Sequence, residues 1–151
     1  LLQRRNVGGH SSLSQTADLC YVESIRIWGR TRNMKSHNLE RWHLLSRLTV
    51  ENVQGEREGF GFVYVFRKRS TEEILYVGST GDLRRRLFGN YIGGVGGKTT
   101  RRIHHYLFDR GAITDTEVSW KEVRDYKQEE ASLRQHYREQ QGRLPLWNMR
   151  T

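Results

Sequence analysis

The sequence predicts an α+β fold built on antiparallel strands, and three observations carry that prediction. Two apolar, β-branched and aromatic runs, Phe62-Val63-Tyr64-Val65-Phe66 and Leu75-Tyr76-Val77-Gly78-Ser79-Thr80, flank the polar stretch Ser70-Thr71-Glu72-Glu73 and read as a hairpin. A third strand-like run, Thr116 to Val123, returns only after two helical segments. The order β-β-α-α-β-α does not alternate strand with helix, so it favours antiparallel pairing over βαβ units.

Residues 1–19 are polar, with Gly8-Gly9 and Ser11-Ser12-Leu13-Ser14, and read as a loose arm. Tyr21 to Trp28 reads as a strand, followed by the basic turn Gly29-Arg30-Thr31-Arg32-Asn33. Asn38 is placed to cap a helix over 39–49, with Leu39, Trp42, Leu45 and Leu48 on one face. Glu51 to Gly59 is a polar connector. Residues 1–58 thus form an N-terminal strand/helix arm, and residues 59–151 the main domain. The hairpin brings Tyr64 and Tyr76 close on neighbouring strands. Asp82 caps a helix over about 82–91, and Gly93 to Gly97 is a flexible loop. A second helix starts at Thr99 or Thr100 and stops at Gly111. Asp125 with Gln128 three residues on resembles a capping box, opening a helix over 126–141 that Gly142 ends. The tail is Leu144-Pro145-Leu146-Trp147-Asn148.

The chain of 151 residues suffices for one domain, or one domain plus an arm. It carries 26 Lys+Arg against 17 Asp+Glu, a net charge of +9. The excess is local: residues 59–111 hold 10 basic and 4 acidic groups, while residues 112–151 balance at 7 and 7. A concentrated basic surplus points to a polyanion such as nucleic acid. The single cysteine, Cys20, excludes an internal disulfide and a cysteine-rich zinc knuckle, and fits a reducing compartment. No stretch has the apolar length of a membrane span, and no signal peptide is visible. The expected location is cytoplasmic, or nuclear in a eukaryote. The chain starts at Leu1 without Met, as a trimmed or partial chain does.

The last helix offers a candidate for chemistry from spacing alone. Its apolar stripe, Tyr126, Leu133 and Tyr137, also passes through Glu130. A carboxylate on a core-facing stripe is costly unless it meets a cation, which is either a metal ion or a neighbouring arginine. Glu129 lies off that stripe and is the weaker candidate.

The tyrosine-bearing hairpin, Arg86 ten residues after Tyr76, Glu130 spaced before Leu133 and Tyr137, and the Pro145-Leu146-Trp147-Asn148 tail together resemble the GIY-YIG nuclease superfamily. The resemblance covers about 60–148 and implies a three-stranded antiparallel sheet with helices packed around it. It further implies a Mg²⁺-dependent DNA endonuclease, with Mn²⁺ as an alternative ion and no small-molecule cofactor. Tyr64 is then the base or the water-positioning group, Tyr76 its neighbour, and Arg86 the group that neutralises the transition-state phosphate. Glu130 is the metal ligand, and Asn148 braces the site. A phenol has an ordinary pKa near 10. A base role needs a nearby cation to lower that value; Lys68, four residues from Tyr64 and on the same strand face, is either that cation or, more commonly for such a position, a solvated edge lysine. Four residues after Arg86, where many relatives carry His and some Tyr, this chain has Asn90, so Tyr91, His104 and His105 are the substitutes to consider.

Arg67, Arg69, Arg84, Arg85, Lys98, Arg101 and Arg102 are expected phosphate contacts. Small size and an end just past Asn148 favour a restriction-type or phage-type enzyme over a homing, repair or recombination nuclease. A catalytically idle DNA-binding module on the same fold is the rival from another class, and a homodimer is left open.

Overall fold

A computed structural model describes residues 41–149. The expected strand at Tyr21–Trp28 and the first residues of the expected 39–49 helix lie outside the described residues. Within them the order is β1 (His43–Leu44), β2 (Gly61–Lys68), β3 (Ile74–Thr80), a π-helix (Arg85–Ile92), α1 (Lys98–Phe108), β4 (Thr116–Val123) and α2 (Tyr126–Gln141). All pairings are antiparallel, in the order β1-β4-β2-β3.

The sheet has four strands rather than the expected three, and the fourth comes from the segment read as helical. His43 and Leu44 pair with Val118 and Glu117, and a 3₁₀ turn at Leu45–Arg47 follows. The three-residue spacing of Trp42, Leu45 and Leu48 fits a helix face, but it serves a strand followed by a turn equally well. Leu45 reaches the core from the turn. What decides is non-local: β4 would otherwise leave a row of backbone groups unpaired along its edge, and β1 pairs with part of it.

β2 is the central strand, buried on both faces from Gly61 to Phe66, as its unbroken apolar run requires. Side chains alternate across the sheet. One face carries Phe62, Tyr64, Phe66, Tyr76 and Trp120, packed with Leu87 and Tyr91 of the π-helix and with Ile103 and Leu107 of α1. The other face carries Val63, Val65 and Val77, which are buried with Leu133 of α2. Gly61 is required at this second interface: a Cβ there would lie 2.0 Å from the Tyr126 ring.

The caps behave as the sequence predicts. Asp82 Oδ1 accepts from the Arg85 N–H, and Asp125 Oδ1 accepts from the Gln128 N–H. The capped 82–91 segment differs in winding, however. From Arg85 to Ile92 it is a π-helix, and the Gly93 N–H donates to the Phe88 carbonyl, five residues back. Such wider turns concentrate at functional sites.

Candidate active site

The hairpin sets Tyr64 directly opposite Gly78 in the β2–β3 register. The phenol ring lies across that glycine. A Cβ on Gly78 would sit 2.5 Å from the Tyr64 hydroxyl oxygen and 2.6 Å from both Tyr64 Cζ and Tyr76 Cε1. Tyr64, Tyr76 and Tyr91 form a triangle of rings with centroids 6.0–6.1 Å apart. The Tyr64 and Tyr91 hydroxyls share a 2.5 Å hydrogen bond, and both side chains are only 1% exposed.

The π-helix explains how Tyr91 arrives there. On an α-helix the residue four positions after Arg86 stacks over it. A π-helix places the fifth residue in that relation, so Tyr91 takes the place expected of residue 90. Asn90 turns away and donates from Nδ2 to the Val95 carbonyl at 2.6 Å. Of the three substitutes considered, Tyr91 alone joins the tyrosines by its side chain. His104 holds the main chain of this turn: its Nδ1 lies 2.8 Å from the Tyr91 carbonyl oxygen. A carbonyl only accepts, so Nδ1 carries the proton there. His105 is half-exposed and pairs with Asp109 at 2.6 Å.

Burial and charge compete at the phenols. Desolvation raises the pKa of Tyr64 well above the ordinary phenol value, and the neighbouring Tyr91 and Tyr76 add to the rise. Tyr91 is raised for the same first reason, loss of solvent. The cation that opposes both shifts is Arg86. Lys68 is the solvated edge lysine of the two readings: the β2–β3 register breaks between Phe66 and Arg67, and Lys68 stands exposed at the strand end. The expectation of a depressed phenol pKa is therefore reversed, because a single partly solvated arginine does not offset full burial. The Nε of Arg86 is buried and has no hydrogen-bond partner among the described residues.

Glu130 faces the sheet, as its stripe predicts, but from the other side of β3. Its Oε2 accepts a hydrogen bond from the hydroxyl of Ser79, which alternates with Gly78 across the strand. Its Oε1 pairs with Arg134 Nη2 at 2.6 Å. Arg134 also donates to the Val77 carbonyl from Nε and Nη2, at 3.3 and 3.2 Å. Asn148 braces the same outer edge of β3, accepting from the Val77 N–H at 2.8 Å and donating to its carbonyl at 2.9 Å. Glu129, read as off the stripe, is as sheltered as Glu130: the two side chains are 18% and 19% exposed. Glu129 meets the fully buried Lys121 Nζ at 2.5 Å.

Ser79, Gly78 and Arg134 are the site residues that motif reading passed over. Ser79 and Gly78 stand inside the quoted strand string, and Arg134 is four residues beyond Glu130, the spacing of a helical ion pair.

The basic residues divide into two groups. Arg67 pairs with Glu117 at 2.8 Å and covers the Trp42 ring at 4.1 Å. Arg84 donates from Nε and Nη2 to the Val53 carbonyl, and Arg102 donates to the Trp147 carbonyl. These three make contacts within the protein that tie loops and strands together. Arg69, Arg85, Lys98 and Arg101 are exposed.

Among the described residues no group of three or more His, Cys, Asp or Glu could hold a metal ion. A single carboxylate beside a hydroxyl does not suit tetrahedral zinc. It does suit a hard, hydrated cation such as Mg²⁺, which keeps several waters and needs only one or two carboxylates. No helix among the described residues is long and apolar enough to cross a membrane.

A family model described as the GIY-YIG catalytic domain matches residues 60–143, more than half of the chain. No curated protein and no solved structure gives a significant match. The matched span runs from the strand before Tyr64 through α2, and so contains both tyrosine strands, the π-helix with Arg86 and Tyr91, and Glu130. The chain belongs to the GIY-YIG family of endonucleases, which hydrolyse phosphodiester bonds.

Proposed function

We propose that this chain is a divalent-metal-dependent endonuclease of duplex DNA, of the restriction or phage type. The observation that carries the reading is the buried Arg86 Nε without a partner, beside a hydrogen-bonded phenol pair. An unpaired buried cation donor is costly unless an anion completes it, and a phosphate is the anion a nuclease brings.

Among the described residues β3 is an edge strand of the sheet. The phosphate would lie along that edge, with Arg86 and the phenols toward one face and Glu130 toward the other. Glu130, with Ser79 beside it, would hold the cation. When bound, that cation supplies Lewis-acid stabilisation of the scissile phosphate and the leaving oxygen. Arg86 donates to the transition-state phosphate from a sheltered position, where such a donor is most effective. Tyr64, kept protonated by burial, orients the attacking water through its hydroxyl, and Tyr91 fixes the direction of that hydroxyl. Arg134 holds the Glu130 carboxylate in register with β3. The exposed Arg69, Arg85, Lys98 and Arg101 contact the backbone away from the cut.

The test is plasmid and linear-duplex cleavage with Mg²⁺, with Mn²⁺ and with EDTA. Cleavage with either ion and none with EDTA is the expected result. Equal cleavage in EDTA overturns the metal dependence. A marked preference for branched over linear duplex replaces the restriction-type reading with a repair or recombination nuclease.

A further inference from the structure

A cavity lies at the edge of the sheet opposite β3, where β1 pairs with β4. It has a volume of about 540 Å³ and is lined in part by Arg41, Arg47, Arg69, His43 and Trp120, within the range of small-ligand sites. Its walls combine features that recognise a base and a phosphate together. His43 stacks on Trp120, with ring centroids 4.8 Å apart and planes inclined by 23°. Burial and the nearby Arg41 hold the His43 imidazole below its ordinary pKa, which leaves a neutral aromatic ring at neutral pH. Trp42 adds a second indole to the lining, backed by the Arg67 guanidinium at 4.1 Å.

The polar groups are as telling. Trp120 is 4% exposed, yet its indole N–H has no acceptor among the described residues. Three arginines line the cavity against one carboxylate, Glu117, which pairs with Arg67 at 2.8 Å and with Arg69 at 3.8 Å. Arg41 and Arg47 are exposed and have no carboxylate partner among the described residues. An orphaned buried donor, flat aromatic walls and unneutralised guanidinium groups match a nucleobase with its attached phosphate.

We propose that this cavity receives one unstacked base of the nucleic-acid substrate, with the Trp120 N–H bonding an acceptor on the base and Arg41 and Arg47 holding the flanking phosphate. Trp120 stands opposite Tyr64 in the β2–β4 register, and the cavity lies outward from it, at the β1 edge. Three strand spacings, about 14 Å, divide the cavity edge from the β3 edge, a reach of a few nucleotides along one strand. The cavity therefore reads the DNA at a distance from the cut. This inference rests on the nuclease reading above.

The test uses the full chain with ¹⁵N-labelled tryptophan, in EDTA so that no DNA is cut. The four indole N–H signals are followed by NMR, with Trp120→Phe assigning one of them. Short single-stranded oligonucleotides are titrated with all bases present and with one abasic position scanned along the strand. The Trp120 and Trp42 signals should shift with the intact strand, and lose that shift when the abasic position coincides with the occupied base. Trp147, next to the Asn148 that braces β3, reports occupancy of the β3 edge and should not depend on the abasic position that silences Trp120. Trp42→Leu should weaken binding of the intact strand about tenfold, the order expected for one stacked base, and leave the affinity for the abasic strand unchanged. Cleavage with Mg²⁺ but an unmoved Trp120 signal at saturating oligonucleotide overturns the cavity proposal alone. Absence of both binding and cleavage on every DNA overturns the nuclease reading, and the cavity proposal with it.

Discussion

Gly78→Ala is the substitution that most directly tests whether the tyrosines work as a unit. The added methyl carbon would stand 2.5 Å from the Tyr64 hydroxyl oxygen, and ordinary contact begins near 3.4 Å. The hydroxyl must therefore yield by about 0.9 Å, yet Tyr76 Cε1, at 2.6 Å from the same carbon, blocks one escape. Tyr64 is buried on every side, so the shift is taken up by the 2.5 Å bond to Tyr91. Overpacking of this kind costs about 1–3 kcal/mol of stability. A displacement of about 1 Å at a reacting group is worth up to ~10²-fold in rate. Single-turnover cleavage under saturating Mg²⁺, with urea denaturation on the same samples, separates the two effects. Gly81→Ala is the control, because its new carbon would meet only the Tyr126 hydroxyl at an ordinary 3.6 Å. A Gly78→Ala protein that stays folded and cuts at the wild-type rate refutes the idea that the phenol position matters.

Glu130→Gln should abolish metal-dependent cleavage and leave the fold intact, since the amide still accepts from Ser79; wild-type turnover would remove Glu130 from the site. Glu129→Ala is no silent companion, because it strips the buried Lys121 of a 2.5 Å partner and should cost about 1.5–3 kcal/mol in urea unfolding. Arg84→Ala should lose a similar amount of stability through its two bonds to the Val53 carbonyl, whereas Arg85→Ala should keep stability and flatten the salt dependence of DNA binding by about one unit of slope. The raised Tyr64 pKa fixes a sign for alkaline stability. The folded state keeps a phenol proton that the unfolded chain releases near pH 10, so stability is full below that pH and falls as pH climbs above it. Tyr64→Phe should remove part of that fall in melting temperature between pH 9 and 11.5.

What could be read from the sequence was local. The hairpin, β4 and α2 follow from apolar runs, the helical stripe and caps within three or four residues of one another, and each lies where the pattern puts it. The arm helix failed because the spacing of Trp42, Leu45 and Leu48 is compatible with two structures, and the bare edge of β4, some seventy residues away in the chain, chooses between them. The winding around Arg86 was unreadable for a related reason. Nothing in Leu87-Phe88-Gly89-Asn90 announces a π turn; the requirement arises only when Tyr64 is fixed as the partner of Tyr91. The phenol pKa was misjudged because neighbours along the strand were counted and enclosure was not. Lys68 is near Tyr64 in sequence, but the solvent that Tyr64 loses is removed by the π-helix and the sheet.

That enclosure also constrains the chemistry. At neutral pH neither Tyr64 nor Tyr91 can serve as a ready proton acceptor, because both are held protonated by burial. Tyr91 is hydrogen-bonded to both Tyr64 and Tyr76, so three phenols carry three O–H donors. Their two mutual bonds use two of them, which leaves one O–H and the remaining oxygen lone pairs to meet whatever enters. Arg86 contributes a further group with an unused donor, Nε. A neutral molecule at this point would gain little from a guanidinium and a spare hydroxyl set side by side. An anion gains from both, and gains more as its charge grows. The same burial that removes Tyr64 as a resting base therefore makes the group selective for a phosphate whose charge increases on the way to the transition state.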